Sequence, residues 1–205
     1  MRMQKPSSPS PTIGRPREFD IGEVTRKAMN VFWDRGYHDA SLPDLLGGME
    51  LSRGSFYKAF GDKEAVFLRA LDIYIEDAIR DMREILKADV SPAIAIRNAL
   101  LRYADLSSGD EGRRGCFAVG TATEMLPANP EAARRIASLF RRLQDLFADA
   151  IVRGQKAGEF DEHLDAQAIA HFIVSQANGM RVLGKTGSSR KQMRANVDLV
   201  MKLLS

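Results

Sequence analysis

The chain has 205 residues, 44% of them apolar and 28% charged, with 30 Lys and Arg against 27 Asp and Glu. That composition is globular and long enough to bury a sizeable core; a single cysteine excludes an intrachain disulfide framework or a multi-cysteine zinc site, and no run nears the ~18 apolar residues of a membrane span. A net charge of +3 is too small to imply nucleic acid by itself, so the placement of charge matters more than its sum.

Residues 1–17 form a basic arm: the Pro- and Ser-rich run MRMQKPSSPSPTIG has no apolar periodicity and is expected to be disordered, and Arg2, Lys5, Arg15 and Arg17 stand there without an acid. The arm has no apolar core of a secretory signal, so a cytoplasmic location is expected. Val24, Ala28, Val31 and Phe32 then follow the spacing of an amphipathic helix that Gly36 can close. Ser41, with Asp44 three residues on, fits the cap of a short helix carrying Leu42, Leu45 and Leu46. Gly47 and Gly48 punctuate its end, and Ser52 caps a second short segment, Arg53 to Phe60, whose inward pair is Phe56 and Phe60. Two short helices joined by a tight turn after a longer one make a helix-turn-helix.

A longer helix is expected from Asp62 through Leu86, another from Pro92, and a polar loop over Ser107–Gly115. Cys116 to Leu126 reads as an apolar helix ended by Pro127 and Pro130. Ile136, Leu139, Phe140, Leu143, Phe147 and Ile151 give the next helix one clean stripe, Asp165 to Gly184 is apolar on most faces, and Met193, Val197, Val200, Met201 and Leu204 mark the last helix. The prediction is an all-α protein of about nine helices, divided into the arm 1–17, a DNA-binding domain 18–63 and a larger helical domain 64–205.

Gly14 to Phe67 resembles the DNA-binding domain of the TetR family of transcriptional regulators. The resemblance is carried by Ala28–Phe32, Arg35-Gly36-Tyr37, Ser41-Leu42-Pro43-Asp44-Leu45, and the run from Leu51 through Arg53-Gly54-Ser55-Phe56-Tyr57-Lys58 to Lys63-Glu64. It implies an all-helical homodimer whose second lobe binds a small-molecule effector that alters the grip on a palindromic double-stranded operator. It also implies phosphate contacts for Ser41, Tyr57 and Lys63. The residues of the short third helix agree: with Phe56 and Phe60 turned inward, Arg53, Ser55, Tyr57 and Lys58 remain for the major groove, and no acid stands between Leu51 and Gly61. Arg53, Ser55 and Lys58 are the candidates for reading bases, and Gly54 suits a close approach, either to the preceding helix or to phosphate. Arg15 and Arg17, flanking Pro16, suit a narrow minor groove.

Gly179 to Thr186 (GMRVLGKT) matches the Walker A pattern letter for letter, but helical periodicity before it, not a strand, argues against a phosphate loop. In a helical reading Gly179 permits close packing and Gly184 ends the helix. His38, His163 and His171 lie far apart without ligand spacing, so neither metal nor cofactor nor enzymatic activity is expected, and His171 is read as a hydrogen-bonded core or pocket residue. Cys116 is read first as a small buried hydrophobe. The alternative makes it a sensor thiol for oxidants or electrophiles, activated by a helix N-terminus and by Arg113 and Arg114.

The family plan places an effector pocket among the long helices, with candidate walls Met82, Cys116, Phe117, Thr121, Met125, Phe140, Phe147, Phe172 and Gln176. Their aromatic and Met content favours an apolar or planar effector. Ile169, Ile173, Met180, Leu183, Val197, Val200, Met201 and Leu204 are the candidate dimer interface. The expected function is a homodimeric, ligand-responsive repressor with no membrane partner. The rivals are the Cys116 thiol sensor and a helical small-molecule-binding protein without DNA function.

Overall fold

The computed structural model describes residues 20–204, which form ten α-helices: α1 Ile21–Arg35, α2 Leu42–Met49, α3 Arg53–Phe60, α4 Lys63–Leu86, α5 Pro92–Leu106, α6 Gly109–Arg114, α7 Phe117–Met125, α8 Pro130–Lys156, α9 Ala166–Gly184 and α10 Arg190–Leu204. The described residues contain no strand, and the architecture is an N-terminal helix-turn-helix followed by a larger helical domain. Arg15 and Arg17 lie outside the described residues.

The boundaries of the first four helices are set by side-chain caps. The Asp20 carboxylate accepts from the amides of Gly22 and Glu23, Ser41 and Asp44 form a reciprocal capping box, and Ser52 and Asp62 accept from the amides of Ser55 and Ala65. α1 and α3 stop at Gly36 and Gly61, whose φ values of 83° and 84° are costly for any residue with a Cβ. Phe32, Leu45, Phe56, Phe60 and Phe67 close the small core beneath these helices. α4 belongs to both halves of the molecule: Phe67 stacks edge-on with Phe32 of α1, while Ile75, Ile79, Met82 and Leu86 enter the larger core with α5 and α8. The α8 stripe expected from the sequence is buried between α4 and α9.

One element departs from expectation. Within Ser107–Gly115, expected to be a loop, lies the short helix α6. Asp110 and Glu111 in its first turn and Arg113 and Arg114 in its last complement the helix dipole. Gly112 lies so close to Ser107 that a Cβ there would stand 2.6 Å from the Ser107 carbonyl.

The Walker-like run does not form a phosphate loop. Gly179 to Gly184 forms the last turns of α9, so its amides are spent on helical hydrogen bonds. The roles expected of its two glycines are also redistributed. A Cβ on Gly184 would stand 2.7 Å from the Ser107 carbonyl oxygen, so this is the glycine demanded by close packing, whereas Gly179 has only the Gln176 side chain nearby, at 3.9 Å.

The expected dimer stripe needs correction. Ile173, Met180, Val197, Val200 and Leu204 are buried within the single chain, and Ile169 and Met201 are half-buried against the same core. The reason is that α10 lies on α5 and spends its apolar stripe closing the lobe, held by Arg97 to Asp198 at 2.7 Å and Arg190 to Asp105 at 2.7 Å. Of the eight residues proposed, only Leu183 is exposed. The apolar residues left outward on these helices are Phe172, Val182 and Leu183 of α9 and Leu199 and Leu203 of α10.

Candidate nucleic-acid interface and cavity

The outer face of α3 is the polar, basic surface that the spacing of Phe56 and Phe60 dictates. Those two rings are buried, while Arg53, Gly54 and Lys58 are exposed, Tyr57 is 45% exposed and Ser55 is half-buried. The Arg53 guanidinium lies 5.9 Å from the Tyr57 ring centroid. Neighbouring cations are paired, Lys27 with Glu50 at 2.9 Å and Arg35 with Asp44 at 3.2 Å, but among the described residues Arg53 and Lys58 have no carboxylate partner. Two unpaired cations and a phenol on an exposed helix of this length match the side chains a major groove receives.

Gly54 faces open space, with nothing within 4 Å of a Cβ built there. That removes the preceding helix as the reason for glycine and leaves an approach from outside. Ser41 and Lys63 are already engaged. Ser41 Oγ donates to Asp44 Oδ2 at 2.6 Å, and Lys63 Nζ donates to the His38 carbonyl at 3.2 Å while lying 4.7 Å from the Tyr37 ring centroid. These contacts fix the turns that carry α2 and α3.

Behind this face the helix-turn-helix is tied to the larger domain. The Glu124 carboxylate of α7 accepts from the amides of Tyr37 at 2.9 Å and His38 at 2.6 Å, in the turn after α1. Arg114 of α6 donates to Asp34 at 2.7 Å and Asn30 at 2.9 Å and covers the Trp33 ring at 4.5 Å. Arg26 of α1 pairs with Asp77 of α4, whose carboxyl is held below its ordinary range chiefly by that hydrogen bond.

Between α1, α4, α5, α7, α8 and α9 lies a cavity of about 400 Å³, within the usual size of small-molecule sites. Met29 and Trp33 of α1 form part of its wall, facing Tyr74, Met82, Tyr103, Phe140, Asn178 and Arg181. Cys116, half-buried at the N-cap of α7, lies on the same wall with its Sγ 3.1 Å from Tyr74 Oη. Burial and the neighbouring Cys116 push the Tyr74 hydroxyl well above its ordinary range, and burial does the same to Tyr103.

Of the nine residues expected to line an effector pocket, Met82, Cys116 and Phe140 line this cavity. Phe117 and Thr121 line a separate crevice of about 270 Å³ beside the α1–α2 turn. Phe147 and Met125 are buried in the core away from either space, because the α8 stripe and the end of α7 face neighbouring helices. Phe172 and Gln176 lie on the outer face of α9. His171 is likewise exposed there, hydrogen-bonded to Gln144 at 2.9 Å, and is not a core or pocket residue. The cations expected to activate Cys116 are used elsewhere, Arg114 on α1 and Arg113 on Asp110. Trp33, Tyr103 and Arg181 were missed. For Arg181 a signal existed: it is the one Lys, Arg, Asp or Glu in Ala166–Gly184, and a lone charge on a buried helix needs a reason.

Two family models match the chain: residues 24–70 match the bacterial regulatory proteins of the tetR family, and residues 92–199 match the tetracyclin repressor-like C-terminal domain. The chain belongs to the TetR family. It is therefore a helix-turn-helix DNA-binding transcriptional regulator. It is 29% identical to the HTH-type transcriptional regulator YezE of Bacillus subtilis (strain 168), over 94% of this chain and 100% of that one. It is 25% identical to the HTH-type transcriptional repressor ComR of Escherichia coli (strain K12), over 93% of this chain and 91% of that one. Among solved structures, the TetR-family regulator CifR, in a cysteine-substituted form complexed with 26-bp double-strand operator DNA, is 30% identical and superposes with a TM-score of 0.81, covering 92% of this chain and 98% of that one. No helix among the described residues is long and apolar enough to cross a membrane.

Proposed function

We propose that this TetR-family protein is a homodimeric repressor released from its operator by a small effector bound in the α1–α4 cavity. The observation that carries the reading is the cavity wall: Met29 and Trp33 belong to α1, the first helix of the DNA-binding unit, so an occupant touches that unit directly. Residues 18–63 serve the operator and residues 64–205 the effector and the second subunit. Arg53, Ser55 and Lys58 read bases, Tyr57 and the backbone at Gly54 meet phosphate, and Ser41 and Lys63 hold the turns, contacting phosphate only by giving up their present bonds. Arg15 and Arg17 reach the minor groove. ComR, named a repressor, supports this sign of regulation, and CifR, bound to its operator, supports the DNA partner. A cytoplasmic location follows from the same reading.

Occupancy acts by population shift: the effector favours a setting of α1 against α4 in which two recognition helices no longer match successive turns of the groove. The test is binding to the DNA upstream of the reading frame across a salt series. Arg53→Ala and Lys58→Ala are each expected to cost about 1–3 kcal/mol and to relax specificity at the base that each reads. Weak binding indifferent to sequence, unchanged in both variants, would remove the operator reading.

A second reading is favoured by one contact. Cys116 lies on the cavity wall beside Tyr74 Oη, so a thiol-reactive effector entering the cavity meets its sulfur. If so, alkylation releases operator from the wild type and not from Cys116→Ser. Equal release from both would discard the thiol role and leave the main reading intact.

A further inference from the structure

Two buried donors on the cavity wall lack an acceptor. Arg181 is only 5% exposed; its Nη2 donates to the Gly115 carbonyl, while Nη1 has no partner among the described residues. Trp33 Nε1, on the same wall, is also unpartnered. Both residues line the cavity, and a chain of contacts connects them. Trp33 stacks edge-on with Tyr74 at 5.2 Å between ring centroids, Tyr74 touches Cys116, and Cys116 follows the glycine that Arg181 holds.

Among the described residues no anion answers this guanidinium. The carboxylates on the wall, Asp77 and Asp81, are taken by Arg26 and Arg80 and by Arg102. The two wall phenols that feel the Arg181 charge, Tyr74 and Tyr103, stay protonated because burial raises them. A buried charge without a counter-charge is costly and is normally paired, so the missing partner belongs to whatever fills the space. A cationic occupant would meet a like charge and find no open carboxylate. The rest of the wall, with Met82, Leu139, Phe140 and Leu143, is apolar.

We infer that the cavity selects an apolar, aryl-bearing carboxylate, with the carboxylate accepting from the Arg181 guanidinium and the hydrocarbon part lying against α4 and α8. This rests on the cavity being the effector site, and it sharpens the expectation of an apolar or planar effector: one anionic group orients it. The Trp33 indole offers a second donor, so the oriented acid bears directly on α1.

The test is calorimetric titration of the full chain with two acid and amide pairs of equal shape, naphthylacetate with naphthylacetamide and phenylbutyrate with phenylbutyramide. The acids are expected to bind about tenfold more tightly or better, since charge-assisted hydrogen bonds are roughly twice as strong as neutral ones. Arg181→Met is expected to erase that preference while still binding the amides, and Arg181→Lys to keep part of it. The wild-type comparison stands even if the methionine variant does not fold. Acid and amide binding alike would overturn the anion assignment and leave the cavity as a site. A preference retained by a folded Arg181→Met would also overturn it, because the anion would then be held elsewhere. If none of the four compounds binds, both the cavity reading and this inference fall.

Discussion

Gly54 separates the requirements of folding from those of function at one residue. It is the second residue of α3, where glycine is a poor helix former, and a Cβ there would meet nothing within 4 Å. Gly54→Ala is therefore expected to raise stability by up to about 1 kcal/mol, as measured by urea denaturation, while weakening operator binding. An alanine variant that binds operator as the wild type does would show that no phosphate comes close at this point. The sequence leaves two explanations for this glycine open because the distance between α2 and α3 is a tertiary quantity; the open space around it eliminates the packing one.

At the scale of elements, α7 is the clamp on the helix-turn-helix. Glu124 satisfies two amides of the α1–α2 turn with a charged acceptor, and hydrogen bonds to charged groups are worth about 1.5–3 kcal/mol. Glu124→Gln keeps the shape and loses the charge. It is expected to lower the melting temperature and to loosen operator binding together, read by thermal denaturation and by titration with the same DNA. A drop in stability with unchanged DNA affinity would confine Glu124 to folding. The α1–α4 contact adds a pH dependence. Asp77 is held low mainly by its hydrogen bond from Arg26, Glu76 by that from Arg142, and Asp44 by that from Ser41. A carboxyl depressed in the folded state contributes stability that is complete above its unfolded pKa and is lost as pH falls through the folded value. The melting temperature is thus expected to hold near neutrality and fall below about pH 4, less steeply in Asp77→Asn. Helix bounds were legible because caps and 3.6-residue stripes are local: Arg53 to Phe60 stands as expected. α6 was not, since four polar residues and two glycines carry no stripe, and its support comes from close contact with Ser107.

For the whole molecule, the exposed apolar residues of α9 and α10 lie one face away from the stripe the sequence suggested for a second subunit. An apolar residue on α9 or α10 satisfies either a core or an interface, and periodicity does not distinguish them; the docking of α10 onto α5 does. The outward residues of α9 include Phe172, Gln176 and Leu183, spaced along one face, with Leu199 and Leu203 on α10. The double variant Leu183→Glu, Leu199→Glu is expected to stay folded but to sediment as a monomer and to lose most operator affinity, because two half-sites are then bound independently. A double variant that remains dimeric would place the interface elsewhere. The cavity was the least legible part, since its wall draws on five helices and on α1, which sequence alone assigns wholly to DNA.

Trp33 is the only tryptophan in the chain. It stands on the cavity wall, with Arg114 over its ring and Tyr74 against its edge. Its indole emission is thus a label-free optical signal from one known place, the junction of the DNA-binding unit and the cavity. Any compound entering that space changes the polarity or quenching around a single fluorophore. Untagged protein can therefore be screened against compound collections directly, before any operator is known.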